Sequence, residues 1–273
     1  MTHNYFYSIE KAGILLLFLF PLTIFAQVSD EFKENFTPKT QFLLNVSPTF
    51  YNQLKIENTG SNWLKSNPAF GGTIGVGLYQ KINDDFGVTA NVNLGILAYN
   101  MNYYFQSKVD HPDVTFNDQD FKNTDYIPFV NYNFGVSYKL NYTFFKQKSS
   151  PTIGIGIMRN TLPTFSISSG SSIYIDEQEP NLRIFDSNVT DYTNSNESSF
   201  SFNSYYLTLG VVKQNKKHNT LHLNLIVNYT PRKIGKGQYQ FSNLEKESNG
   251  TTKLGFNYIG LEFVYGLTFN KPK

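Results

Sequence analysis

Residues 130–145 read VNYNFGVSYKLNYTFF, and every second side chain in this stretch is large and apolar or aromatic. The residues between them are small or polar: Asn131, Asn133, Gly135, Ser137, Lys139, Asn141 and Thr143. Because successive side chains of a β-strand point to opposite faces, the stretch predicts a strand with one apolar and one polar face. The fold is decided by which face meets the solvent, and by whether that solvent is water.

The same period of two recurs in seven further segments, so the sequence predicts eight antiparallel strands. The predicted strands are residues 40–51, 70–82, 86–99, 130–145, 151–160, 204–213, 220–230 and 255–269. Three of their connections are short turns, and the four long ones are Asn52–Pro68, Asn100–Asp125, Asn160–Ser199 and Pro231–Lys253. The two lengths alternate along the chain. Short turns at one end and long loops at the other are typical of an up-and-down transmembrane β-barrel.

Alternation by itself leaves two barrels open: a soluble lipocalin-like one, apolar inside, and a membrane one, apolar outside. The polar face favours the second, because it is dominated by Gly, Asn, Thr and Ser, with Tyr79, Tyr99, Tyr206 and Tyr258 among them. A face in water would carry more charge, and mid-strand glycine would cost about 0.5 to 1 kcal/mol there. Small residues beside tyrosine suit the narrow lumen of eight strands. The apolar face is therefore predicted to meet lipid, with aromatic girdles near both strand ends.

The composition agrees with a membrane barrel. Charged residues make up 16% of the 273 residues, below the roughly 25% of soluble domains. The net charge of +2, without a basic stripe interleaved with aromatics, excludes a nucleic-acid binder. The absence of cysteine excludes an acyl-anchored lipoprotein, disulfides and thiolate metal sites.

The first residues have the pattern of a secretory signal peptide, with Lys11 ahead of an apolar run that Pro21 interrupts. Cleavage is predicted after Ala26, with the mature chain beginning at Gln27 or Val28, and an uncleaved anchor is the alternative. The expected organisation is a signal peptide at 1–26, a short periplasmic segment at 27–39, the barrel at 40–270 and a tail at 271–273. This organisation predicts export to the outer membrane of a Gram-negative bacterium.

The chain resembles the small eight-stranded outer-membrane β-barrel proteins of Gram-negative bacteria, the group that includes OmpX, the membrane domain of OmpA and the PorT-like barrels. The resemblance covers about residues 40–269. It rests on architecture and on a final strand, GLEFVYGLTF at 260–269, that ends in an aromatic residue. This ending looks like the signal that the barrel-assembly machinery reads, so the resemblance implies that machinery, outer-membrane lipids and lipopolysaccharide as partners.

Four ionisable residues fall on the predicted lumen face: Lys81, Lys139, His222 and Glu262. A buried charge needs a partner, so Lys139 and Glu262 are predicted to approach each other, with His222 or a tyrosine hydroxyl completing a polar network. The network could gate a narrow conduit or lock the barrel shut. The second interpretation is favoured, because eight strands leave no open channel.

The sequence offers little for catalysis or cofactor binding. The histidines are His3, His111, His218 and His222, and no serine lies beside one at an outward position, so no enzyme is expected. The acidic residues of the second and third long loops lack the spacing of a calcium loop, so no metal or cofactor is predicted. Arg232, Lys233 and Lys236 make the fourth loop basic, and they are candidates to pair with the third loop or with lipopolysaccharide phosphates.

Long loops are usually functional. The preferred hypothesis is therefore a non-enzymatic scaffold whose second and third loops meet a partner, a ligand or the cell envelope. The PorT-like resemblance implies a second hypothesis, an accessory barrel of a secretion or assembly machine. A narrow small-solute channel is a third hypothesis, and a soluble lipocalin-like binding barrel is a fourth.

Overall fold

The computed structural model describes residues 40–60, 62, 64–103, 121–140, 149–163, 174–176, 179–180, 182–185, 199–214, 219–241 and 248–268. The predicted signal peptide, periplasmic segment and tail, together with His3, His111 and His218, lie outside these residues. No helix among the described residues is long and apolar enough to cross a membrane.

The described residues form fifteen strands. In chain order they are β1 (Thr40–Tyr51), β2 (Lys55–Gly60), β3 (Leu64–Lys65), β4 (Ala69–Lys81), β5 (Phe86–Tyr103), β6 (Phe121–Lys139), β7 (Ser149–Pro163), β8 (Tyr174–Asp176), β9 (Glu179–Pro180), β10 (Leu182–Phe185), β11 (Ser199–Gln214), β12 (Thr220–Tyr229), β13 (Gly235–Phe241), β14 (Ser248–Leu254) and β15 (Tyr258–Thr268).

Eight of these strands close into an antiparallel barrel in the order β1-β4-β5-β6-β7-β11-β12-β15, with β15 pairing back to β1. Each strand pairs with its neighbours in the predicted meander, so the predicted eight strands and their topology are confirmed. The longest pairing joins β5 to β6 and runs from Phe86 opposite Tyr138 to Tyr103 opposite Phe121. This hairpin extends farther on the long-loop side than the sequence predicts.

The fourth predicted strand was misplaced along the chain. Residues 130–145 were expected to form it, but β6 begins at Phe121 and ends at Lys139. The alternation continues past Lys139 in the sequence, whereas the pairing with β7 ends where Lys139 meets Thr152. The alternation of apolar and polar residues therefore predicts where this strand lies but not where it begins and ends.

The apolar face of the barrel points outward, as predicted. Ile74, Leu94, Phe134 and Ile155 expose 61–62% of their surfaces on the outer wall. Between them along the chain lie the lumen-facing Asn93, Asn131 and Asn133, each at most 5% exposed. An apolar outer wall is stable only when the surroundings are hydrocarbon, and it is the reverse of a lipocalin-like barrel, whose apolar face points inward.

The long loops are partly folded, whereas the sequence predicted no structure for them. β2, β14, β13 and β10 form a separate four-stranded antiparallel sheet from the first, third and fourth loops. β3 extends the barrel sheet beside β5, and β8 pairs with β9. Strands such as KIENTG in β2 lack an apolar period, which is why the pattern missed them.

Candidate functional site

Asparagine pairs span the middle of the lumen. Asn91 Nδ2 donates to Asn133 Oδ1 over 2.7 Å, and Asn93 Nδ2 donates to Asn131 Oδ1 over 2.8 Å. Both pairs join residues directly opposite each other on β5 and β6. On the next strands, Asn160 Nδ2 donates to Ser204 Oγ over 2.8 Å. On the lumen face, side-chain hydrogen bonds therefore connect β5 to β6 and β7 to β11.

A second series of side-chain hydrogen bonds lies at the short-turn end of the lumen. His222 Nε2 lies 3.0 Å from Thr220 Oγ1, which donates to Gln41 Oε1 over 3.0 Å. Gln41 Nε2 in turn donates to Thr268 Oγ1 over 3.0 Å. The series links β12, β1 and β15 across the seam where the barrel closes.

Three of the four predicted lumen residues border one cavity of about 100 Å³: Lys139, His222 and Glu262. Asn224 Nδ2 donates to Glu262 over 2.9 Å. The acidic neighbours of Lys139 are Asp84 and Asp85, at the short-turn end. A direct meeting of Lys139 with Glu262 stays a prediction, and the structure supplies Asn224 as the partner that sequence reasoning missed.

Lys81 lies apart from that cavity. Its Nζ is 2.6 Å from Asp84 Oδ1, in the turn between β4 and β5. This hydrogen bond lowers the pKa of the Asp84 carboxyl. In the same turn, Asn83 Oδ1 accepts the backbone N–H groups of Asp85 and Phe86. Lys81 therefore helps to close a turn rather than to line a path.

Tyrosine lies directly over glycine in the tightest part of the lumen. The ring and hydroxyl of Tyr206, on β11, occupy the space that a Cβ would need at Gly156 and Gly135. The two glycines lie opposite each other on β6 and β7. Small residues beside tyrosine were predicted, and here their physical reason is a close approach of ring to backbone.

The long-loop half of the lumen is filled by an apolar plug, and this corrects the expected polar lining. Phe256, which is fully buried, lies at its centre. The ring centroid of Phe256 lies 5.0 Å from that of Phe129, 5.1 Å from Phe202, 5.7 Å from Tyr51 and 5.9 Å from Tyr258. The edge-to-face and tilted arrangements among them are those that aromatic rings prefer.

The plug also includes aliphatic side chains from several strands and from the loops. Among them are Leu54, Leu64, Leu97, Met101, Met158, Leu162, Ile234 and Leu254, each at most 2% exposed. One signal in the sequence could have found it. On β5 the inward residues change from Asn91 and Asn93 to Leu97 and Met101, so the lumen face itself becomes apolar along the strand.

Backbone and side-chain hydrogen bonds hold Phe256 in place. Its carbonyl accepts from Asn228 Nδ2 over 2.6 Å and from Thr230 Oγ1 over 3.2 Å. The adjacent Asn257 accepts the Thr230 N–H at its side chain and the Asn52 N–H at its carbonyl. The segment between β14 and β15 is therefore fixed to β12 and to the first loop, and it carries the plug residue with it.

The separate sheet lies on the loop side and carries an exposed ion-pair group. Glu57 on β2 is 2.7 Å from Lys253 Nζ on β14 and 2.7 Å from Lys55 Nζ. The hydrogen bond from Lys253, followed by that from Lys55, lowers the pKa of the Glu57 carboxyl to about 2. Among the basic residues predicted in the fourth loop, Arg232 and Lys233 lie between β12 and β13 and Lys236 lies on β13, all exposed.

Comparison with known proteins finds distant structural matches. No protein-family model matches the chain, and no curated protein matches it. Several solved structures align with most of it, among them the following three. The outer membrane protein OprG of Pseudomonas aeruginosa is 12% identical, with a TM-score of 0.45, covering 85% of this chain and 98% of its own.

Neisserial surface protein A is 11% identical, with a TM-score of 0.31 and coverage of 85% and 97%. The outer membrane protein AlkL is 12% identical, with a TM-score of 0.31 and coverage of 90% and 99%. The closed strand pairing and the exposed apolar residues show an eight-stranded antiparallel β-barrel with an apolar outer wall.

Proposed function

We propose that this chain is a non-enzymatic outer-membrane barrel with a sealed lumen, whose folded loop sheet recognises a partner outside the cell. The observation that carries the proposal is the apolar plug around Phe256, which fills the lumen directly below the loops. Sealing the lumen removes the need for loops to admit solutes, and it gives them a rigid base.

The loop sheet has an edge suited to recognition. β2 pairs with β14 on one side, and no described strand pairs with its other side. Four of its six residues, Glu57 to Gly60, are consecutively exposed. An open strand edge can accept an extended segment of another protein through backbone hydrogen bonds. The charges of Lys55 and Glu57 on this edge limit unselective pairing, which favours a specific partner.

A non-enzymatic role has support in the placement of His222, the one histidine among the described residues. It faces Thr220 inside the lumen, where a substrate in either membrane leaflet has no contact with it. A hydrolase acting on lipids needs its nucleophile and base at a membrane interface.

Single-barrel conductance in planar bilayers tests the sealed lumen. We expect no steady current for the wild type, and a stable conductance in the wild type would contradict the proposal in favour of a small-solute channel. Partner capture tests the loop sheet. Surface cross-linking on cells should capture a partner with the wild type but not with a chain whose residues 55–60 are replaced by a Gly-Ser linker.

Gln238→Ser with Gln240→Ser is the matched control, because both residues are exposed on β13 inside the same sheet. This control should keep the partner. Loss of the partner in both variants, or in neither, would show that the β2 edge does not mediate recognition. Co-purification of a stoichiometric secretion complex through the barrel wall would favour the PorT-like accessory role instead.

A further inference from the structure

The outer wall changes character on β7 and β11. Toward the long loops, the outward residues of β7 run Ile153, Ile155, Ile157 and then Arg159, while those of β11 change from Tyr205 to Asn203. Arg159 lies directly opposite Asn203, one step above the pair of Ile157 and Tyr205. A guanidinium group thus lies on the wall where the apolar belt ends, at the loop-side interface.

Arg159 has a hydrogen-bond partner, but no acidic partner among the described residues. Its Nη1 donates to Asn203 Oδ1 over 3.3 Å, and on β6 its cross-strand neighbour is Tyr132. Within the part of the chain that the structure describes, no carboxylate forms an ion pair with Arg159. A positive charge beside hydrocarbon is costly, so such residues usually pair with other groups or reach the polar membrane interface.

Two hydroxyl groups lie next above the guanidinium on the same outward face. Thr161 Oγ1 and Ser201 Oγ are 2.8 Å apart and form the next cross-strand pair after Arg159 and Asn203. Together these four side chains supply a fork of N–H donors, an amide and two hydroxyls. That set matches the oxygens of a phosphate group, which arginine binds in a bidentate manner.

An apolar groove of about 950 Å³ adjoins this polar patch. Its wall includes Phe70, Ile74, Leu94, Ile96, Tyr126 and Val130, and Thr161 and Ser199 form its polar edge. The groove exists because Gly72 and Pro128 present little side chain to the wall where Phe70 and Tyr126 stand out. Thr161 belongs to both the patch and the groove, so one molecule can occupy both.

We propose that this surface binds the phosphorylated glycolipid of the outer leaflet, the lipid A part of lipopolysaccharide. One phosphate lies against Arg159, Asn203 and the Thr161–Ser201 hydroxyl pair, and one acyl chain lies in the groove. The long-loop end faces the cell exterior in barrels of this kind, which places the site in the leaflet that holds this lipid. The site is separate from the basic fourth loop and does not depend on the proposed partner.

Binding of hexa-acylated bisphosphoryl lipid A to the full folded chain in nanodiscs tests the proposal. A charged hydrogen-bonded contact of this kind should make Arg159→Gln bind about tenfold to a hundredfold more weakly. Lys213→Gln is the matched control, because it removes an exposed charge from β11 at the opposite, short-turn end. It should bind as the wild type does. Heat-modifiable gel migration verifies that each variant is folded.

Three further measurements separate the possible sources of binding. Dephosphorylated lipid A should bind the wild type as weakly as Arg159→Gln binds the full lipid; equal binding of both lipids by the wild type would overturn the phosphate contact. Phosphatidylglycerol that competes as well as lipid A would overturn the assignment to the glycolipid. Loss of binding in an Arg232→Ala, Lys233→Ala, Lys236→Ala variant, with Arg159→Gln unaffected, would move the site to the fourth loop.

The groove is tested by Leu94→Trp, which fills it from a position that is already exposed on the wall. We expect this variant to bind hexa-acylated lipid A at least severalfold more weakly while it keeps its fold. Leu209→Trp, outward on β11 and outside the groove, should bind normally. Equal binding by Leu94→Trp and the wild type would overturn the acyl-chain placement.

Discussion

The two halves of the barrel interior solve the same packing problem with opposite chemistry. The short-turn half is filled by hydrogen-bonded side chains such as Gln41, Asn93 and Asn131, whereas the long-loop half is filled by rings around Phe256. The polar half encloses a cavity of about 100 Å³, and the long-loop half is filled by buried apolar side chains. The difference shows that the barrel wall supplies only the outline of the lumen, and that each half is stabilised by its own filling.

The largest expected effect comes from removing the centre of the plug. Phe256→Ala should lower the free energy of unfolding by about 3 to 5 kcal/mol, because it leaves a cavity where four rings meet. Urea titration of the refolded barrel in liposomes, followed by circular dichroism, measures this. Phe134→Ala, on the lipid-facing wall, is the control and should cost clearly less. Equal losses would mean that the plug does not stabilise the barrel.

A smaller effect is expected where the tyrosine ring lies over glycine. Gly156→Val should cost about 1 to 3 kcal/mol, because the added side chain meets the carbonyl oxygen of Phe134 and the ring of Tyr206. Adding Tyr206→Ala to Gly156→Val should recover part of that loss in the same urea titration. Strictly additive losses from the two changes would contradict the contact.

The polar half responds differently from the plug. Asn131→Leu should cost about 1 to 2 kcal/mol, because it leaves the amide of Asn93 buried without its acceptor. Changing both residues to leucine should cost less than the single change, since no donor is then left unpaired. If the double variant is less stable than Asn131→Leu, the two asparagines contribute more to the free energy of unfolding than the hydrogen bond between them.

The smallest effect concerns the loop sheet above the plug. The pKa of Glu57 is lowered to about 2, so the ion pairs stabilise the sheet fully above the unfolded pKa near 4.5 and are lost as the pH falls through about 2. In Lys253→Met the Glu57 pKa should rise toward 4.5, and NMR titration of the carboxyl group measures it. Gln238→Met, exposed on β13, is the control and should leave this pKa unchanged. An unaltered pKa in Lys253→Met would show that Lys253 does not set it.

The wall could be predicted from the sequence because two residues per period is a strong and local signal. Phe42 to Phe50 alternate with Gln41 to Thr49, and β1 has the predicted bounds. The plug could not be predicted in this way, because Phe256 falls on the inward face of the strand predicted at 255–269, and period alone does not say which rings of other strands it meets. Likewise the adjacent residues Leu97 and Ala98 are both fully buried, so burial does not alternate in this part of β5.

For the candidate site, alternation places Lys139, His222 and Glu262 on the inward face, and in the structure these three residues border one cavity. The hydrogen bond between Asn224 and Glu262 did not follow, because it depends on the pairing register of β12 with β15, which one sequence does not reveal. Arg159 interrupts the apolar period of β7, but only the register with β11 showed that Asn203 lies beside it.

The position of Phe256 in the chain has a consequence for assembly. It lies two residues before the start of β15, and the rings that it contacts come from β1, β6, β11 and β15. The apolar plug therefore stays incomplete until β15, the last strand of the meander, pairs with β1. We therefore expect closure of the wall and burial of the plug to be coupled, and a chain that stops before β15 to leave the aromatic side chains of the plug exposed.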